Sequence, residues 1–378
     1  MKTLAFLLAL VLQAPAPAPL TALRTTLRQL RDQYKGDRAT LGATAELTAA
    51  KHVLSDWIES QLAGQGDTID TRAFAQTLHT ALRDADLICN ACDENVLGYV
   101  DPVRVDRLGE FLIVVAPMGI ACSYDDSAYA YVWQRQGWRR VWEYERNTYT
   151  QQGYQPQGIH DIQLSSPDAT GRRTLMVLGS QPRCFGSFKD VYTRAWRFEP
   201  DYRAELVLER RELAYDDYPP ILGRVLPDDV LIQFTADGFL SGDVHVAVRH
   251  YTLQGGTARQ IDPIAGLPRD FVLEWLDAPW EESRSRSESA ALQTPHDELR
   301  RPDKVGDIAE PTRRCTAGPD VWQVGTGLFE GPKRYYRVRW RDPYVFSMIG
   351  VSETPYPDCT VLDTRGQTYP DLLGSRVR

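Results

Sequence analysis

The chain has 378 residues, 43% of them hydrophobic and 25% charged, which suits a large folded core and rules out wholesale disorder. Its formal net charge is −8 and its isoelectric point about 5.4. That acid excess argues against nonspecific nucleic-acid binding, which needs a basic surface to release counterions. The basic run over residues 333–341 alternates with aromatics at strand spacing and reads as a solvated strand face.

The chain opens MKTLAFLLALVLQAPAPAPLTAL, with one lysine, an apolar run over residues 4–12 and then small residues. This is the layout of a secretory signal, and the run is too short to span a bilayer as a helix. Ala14, Ala16 and Ala18 each precede a proline, which disfavours cleavage there, so the signal is assigned to residues 1–22 with cleavage after Ala22. No cysteine follows to carry a lipid anchor. The expected location is periplasmic or extracellular, with no membrane span in the mature chain.

A helical region over residues 23–86 comes next. Leu20, Leu23, Leu27, Leu30 and Tyr34 recur at three-four spacing and form one stripe, ended by Gly36. A second helix is predicted over residues 44–63, with Leu47, Ala50, Leu54, Trp57, Ile58 and Leu62 on its buried side. Asp70 can cap a third, striped by Phe74, Leu78 and Leu82. His52 and His79 read as helix-surface or boundary positions.

After Cys92 the texture changes to short runs rich in Val, Ile, Tyr and Trp between Gly, Pro and Asp turns. A weak repeat appears, in which a five-residue apolar strand leads to a cysteine (Cys122, Cys184). An alternating strand near a tryptophan follows (Trp133, Trp196), and a last strand ends in Glu-Arg. A third and a fourth copy are more decayed. Candidate edge strands, such as residues 159–164 and 221–225, precede the copies. The expected fold is therefore α+β and mainly β: an N-terminal helical segment, then antiparallel four-stranded units, propeller-like or arranged as a β-sandwich. The predicted organisation is three β units over 87–265, a short helix and polar loop over 266–314, a fourth β unit over 315–365 and a tail over 366–378. His296, inside the polar loop, is expected to be exposed.

Six cysteines in an exported chain read most simply as three disulfides. Cys122 and Cys184 are equivalent in adjacent repeats, and Cys315 and Cys359 flank the fourth unit. Cys89 and Cys92 are left for one another. Asp84, Asp86, Asp93 and Glu94 surround that last pair with acid, which blunts thiolate chemistry. A thiol oxidoreductase is the weaker alternative. No zinc-ligand spacing, nucleophile elbow, phosphate loop or dinucleotide fingerprint is present.

The nearest approach to a catalytic cluster is SGDVHVAVRHY, where Asp243 and His245 share one strand face and His250 takes the other. Acid-rich turns at residues 124–127, 215–218 and 227–229 are the places where calcium would bind, but they lack the spacing of a calcium loop, and no cofactor is predicted. Trp133, Trp138, Trp142 and Tyr144 crowd one unit, and any exposed on a rim would suit stacking on a sugar or peptide. The sequence thus favours an exported, disulfide-stabilised, non-enzymatic binding or cell-envelope scaffold for a protein, peptide or glycan ligand. The alternative is a secreted hydrolase with a loop-borne site near Asp243 and His245.

Overall fold

A computed structural model describes residues 18–33, 44–88, 98–120, 123–145, 158–181, 188–215, 221–237, 244–261, 264–300, 307–308, 310–327, 333–341 and 345–366. It is mostly β, built from several antiparallel sheets, and its contacts divide it into two units, 1–158 and 159–378.

In the first unit, α1 (Ala18–Gln33), α2 (Thr44–Leu62) and α3 (Thr71–Asp84) form as their stripes require. Asp70 caps α3, its Oδ1 accepting from the Ala73 amide at 3.0 Å. Four strands make an antiparallel sheet in the order β2-β3-β6-β7: β2 (Arg104–Leu108), β3 (Phe111–Ala116), β6 (Ser127–Gln134) and β7 (Gly137–Tyr144). The short strands β1 (Tyr99–Val100), β4 (Met118–Ile120) and β5 (Ser123–Tyr124) form a second, small sheet. The helical stripes and the sheet share one core, with Leu23, Leu27, Leu54, Trp57 and Leu78 against Leu112, Val114, Tyr129 and Tyr131.

β6 and β7 join through a two-residue turn, Arg135-Gln136, whose φ angles are 47° and 72°. Two consecutive left-handed residues are what a mirror-image hairpin turn needs to match the twist of its strands. Here that conformation is imposed on two long side chains rather than on glycine or asparagine.

The second unit holds three further sheets. One has the order β11-β10-β9-β8, from β8 (Gly158–Leu164), β9 (Arg173–Gln181), β10 (Phe188–Phe198) and β11 (Ala204–Tyr215). The next runs β12 (Leu222–Val225), β13 (Asp229–Asp237), β14 (Val244–Thr252), β15 (Arg259–Ile261). These two stack through Met176, Leu178, Val191, Val230, Ile232 and Phe234. Gly223 marks the closest approach: a Cβ there would lie 2.5 Å from Met176 Cε.

The last sheet centres on β18 (Val321–Gly327), β19 (Arg334–Arg341) and β20 (Val345–Ser352), with the short strands β16 (Asp307–Ile308), β17 (Arg313–Arg314) and β21 (Val361–Leu362) at its other edge. Helix α4 (Pro268–Asp277) buries Phe271, Trp275 and Leu276 against Trp322, Val338, Trp340 and Phe346 of this sheet. Cys315 and Cys359 are joined by a disulfide across it. The strand order of each sheet is linear, with no closing pair among the described residues.

The segment after α4 differs from expectation. It is not a solvated loop but a string of short helical turns ending in α5 (Gln293–Leu299). His296 is fully buried rather than exposed. Its Nε2 lies 3.0 Å from the Trp275 carbonyl, and its ring meets Trp275 edge-on. Ser283 Oγ donates to the same carbonyl, and Trp275 Nε1 donates to Ser287. The polar composition is there to cap the end of α4, a role that apolar periodicity does not reveal.

Candidate functional site

His245 lies on β14 with only 2% of its surface exposed. Its Nε2 is 3.0 Å from Glu274 Oε1 on α4. Arg249 is four residues along the strand and so on the same face; its Nη1 lies 3.1 Å from Glu274 Oε2 and its Nη2 3.1 Å from Oε1. Burial alone would push the Glu274 carboxyl up, but Arg249 and His245 overcome it and hold it down at about 2. For His245, burial works against the charged ring, yet the hydrogen bond and charge of Glu274, with Asp270 and Asp277 behind, raise its pKa. The group is an ion cluster in which Glu274 favours the protonated imidazole. Asp243 and Ser241 lie outside the described residues. His250 takes the other face and meets Asp229 at 3.0 Å.

The first unit carries a second polar cluster. α2 presents Lys51, Ser55 and Glu59 at four-residue intervals, one row facing the sheet. Lys51 Nζ lies 2.5 Å from Asp125 Oδ2, both side chains almost wholly buried. Arg140 on β7 reaches Ser55 Oγ at 2.8 Å and Glu59 Oε1 at 3.1 Å. Tyr129 donates to Glu145, and Tyr131 to Glu59. Burial first, then those carboxylates, push both phenols far up, so the rings stay protonated donors. The sequence stripe missed Lys51 and Ser55 because both fall inside the apolar arc of α2, where polar residues are counted as noise.

Above this seam the surface is hollow. One depression of about 440 Å³ is lined by Glu59, Leu62, Ala63, Tyr131, Trp138, Arg139 and Arg140. A neighbouring one of about 400 Å³ is formed by residues 134–139 around the hairpin turn. Trp138 and Arg139 line both. Trp138 is fixed in place: its Nε1 donates to the Gly66 carbonyl at 3.1 Å, Arg107 lies 5.2 Å from its ring centre, and Trp133 meets it edge-on at 5.6 Å. Trp133, Trp142 and Tyr144 fill in the rest of the aromatic group, the last two buried.

In the acid-rich turns Asp125 meets Lys51, Asp228 meets Arg197 at 3.2 Å, and Asp229 meets His250 at 3.0 Å. Among the described residues, the one group with metal-ligand spacing is Cys315, Asp358 and Cys359, and its two sulfurs are bonded to each other. Cys89, Cys92, Cys122 and Cys184 lie outside the described residues, as does the signal segment up to residue 17. No described helix is long and apolar enough to cross a membrane. One contact was not legible in the sequence: His160 Nε2 on β8 sits 2.6 Å from Ser180 Oγ on β9, a cross-strand pair with no local motif.

No family model and no curated protein matches this chain. Among solved structures it is similar to a GH62 hydrolase in complex with xylotriose, at 10% identity over 71% of this chain and 73% of that one, with a TM-score of 0.22. It is also similar to the α-L-arabinofuranosidase PaAbf62A from Podospora anserina in complex with cellotriose, at 10% identity over 70% of this chain and 93% of that one, with a TM-score of 0.18. Superpositions at that level transfer neither a fold nor a site, and none is taken from them.

Proposed function

We propose that the chain is an exported, non-catalytic binding protein that holds a ring-bearing polar ligand, a glycan foremost, at the Trp138 hollow. Its blade-like second unit, stapled by Cys315–Cys359, serves as scaffold. The observation that carries this reading is a contrast between the two polar clusters. His245 is buried with its Nε2 held by Glu274, which Arg249 also grips, so the ring lacks the access to substrate that a base needs. Around Trp138, by contrast, an immobilised indole, guanidinium groups and a planar amide face open space, the combination that stacks on a sugar ring and hydrogen-bonds its hydroxyls. The test is a thermal-shift screen of the full chain against neutral and acidic oligosaccharides, repeated with W138F. The reading expects stabilisation by at least one ligand, weakened by that substitution. Stabilisation that W138F leaves unchanged would move the site elsewhere.

A second reading keeps a hydrolase but relocates it from Asp243 and His245 to His160 and Ser180, whose 2.6 Å contact has the geometry of a base beside a nucleophile. A fluorophosphonate probe decides it: labelling that S180A abolishes favours catalysis, and an unlabelled native protein removes it.

A further inference from the structure

The hollow gathers guanidinium charge around one indole. Within a chain of net charge −8, three guanidinium groups around Trp138 have no carboxylate at ion-pairing distance among the described residues. Arg107 donates only to the Gly109 and Asp67 carbonyls. Arg139 donates only to Gln134 Oε1, at a long 3.4 Å. Arg135 is on the turn itself, exposed and lining the smaller depression. On β19, by contrast, Arg334, Arg337 and Arg339 each meet a Glu or Asp within 3.5 Å. Arg140 at the floor of the same hollow is matched too, by Glu59. Positive charge within the hollow is thus compensated at its floor and left without a carboxylate partner at its rim.

The backbone points to the same place. Two left-handed non-glycine residues in one turn, Arg135 at φ 47° and Gln136 at φ 72°, are strained relative to the right-handed form. Asparagine and glycine would fill those positions without strain. Strain of this kind collects where a side chain is needed, and the side chains held here are Arg135 and Gln136.

Shape narrows the ligand further. The two depressions meet along Trp138 and Arg139, so one indole and one guanidinium serve both. That arrangement fits two consecutive rings of an extended ligand better than a single compact anion. Guanidinium grips carboxylate or sulfate oxygens bidentately, and an aromatic face takes the ring beside them.

Resting on the binding reading above, we infer that the Trp138 hollow is specific for an anionic oligosaccharide, whose acid groups are held by Arg139 and Arg135 while a ring lies on Trp138. The shared chemistry is a negatively charged sugar chain; the acid group is a uronate carboxylate or a sulfate ester.

Calorimetric titration of the full chain with four probes tests this: tetragalacturonate, its fully methyl-esterified form, a chondroitin sulfate tetrasaccharide and xylotetraose. The expected result is binding of tetragalacturonate or of the sulfated probe, with the tighter of the two naming the acid group. Binding should weaken about tenfold in R139Q, and again in R135Q, the size expected for one charge-assisted contact. R139K should fail to restore it, because lysine keeps the charge without the fork. Both arginines are exposed, so these variants should melt with the native protein, and that is checked first. If the ester or xylotetraose binds as tightly as the acid, the charge inference is overturned while the hollow survives as a neutral-glycan site. If W138F alters the binding of none of the four, both the inference and the site reading fall.

Discussion

At the scale of single residues, the energetics centre on buried ions that the sequence hides. Glu274 is held by Arg249 and His245, and E274Q would leave His245 without its carboxylate and Arg249 with only the longer contact to Glu212 at 3.7 Å. Removing one partner of such a cluster costs about 3–5 kcal/mol, read as a fall in the chemical-denaturation free energy. The cluster also sets a pH signature. His245 has a raised folded pKa, so its contribution is complete below its ordinary value of 6.5 and is lost as pH climbs through the raised one. Glu274 is depressed to about 2 from 4.5, so its share is present above 4.5 and is lost as pH falls towards 2. The melting temperature should therefore slope down on both sides of a plateau between about 4.5 and 6.5, and E274Q should flatten both slopes; two unchanged slopes would show that other groups set them. The sequence did single out His245, but not its partner. Glu274 lies 29 positions away, on a helix whose register was read only for its apolar residues.

At the scale of elements, periodicity carried well wherever one face is buried. The stripes of α1, α2 and α3, the Asp70 cap, and β8 and β12 as edge strands all appear where alternation and capping rules place them. It failed where burial is polar. His296, Ser283 and Ser287 close the end of α4 through hydrogen bonds, and no hydrophobic pattern announces a carbonyl that needs a donor. The N-terminus gives a sharper test. Leu20 is wholly buried in the first core, so cleavage after Ala22 would remove a core leucine, a loss of about 2–5 kcal/mol by analogy with large-to-small core substitutions. If the chain is exported, intact-mass analysis should find a mature protein that still contains Leu20; a mature end at Leu23 would contradict this. The β6–β7 turn makes an opposite demand. R135N combined with Q136G should raise unfolding stability by about 1–2 kcal/mol through relief of left-handed strain, and weaken anionic-sugar binding in the same protein. A variant that gained stability and kept full binding would show that the strained turn has no role in recognition.

At the scale of the whole molecule, the weak repeat translated into four linear antiparallel sheets, β2-β3-β6-β7, β8 to β11, β12 to β15, and the one built on β18 to β20. In the second unit the sheets β8 to β11 and β12 to β15 cover one another's apolar faces, and helix α4 covers that of the last sheet, because an apolar sheet face must be buried against another layer. The staple belongs to this level. C315S with C359S frees a loop spanning 44 positions and should cost about 2–4 kcal/mol, measured against native protein in non-reducing denaturant. The site, unlike the sheets, was scarcely legible. The tryptophans stood out in the sequence, but the hollow arises from the C-terminal end of α2 meeting a hairpin some seventy residues later, a juxtaposition set by tertiary packing alone.

The claim that binds these scales is that the molecule's exposed chemistry is recognition at Trp138 and not turnover at a buried histidine. Indole ¹⁵N–¹H spectra of the full chain, titrated with tetragalacturonate and the chondroitin sulfate tetrasaccharide, test it most directly, with the Trp138 signal assigned by its loss in W138F. The account predicts shifts confined to Trp133 and Trp138, silence at Trp275 and Trp322, and oligosaccharides recovered intact after prolonged incubation. Shifts that spare Trp138, or a ligand recovered as shorter fragments, would contradict it.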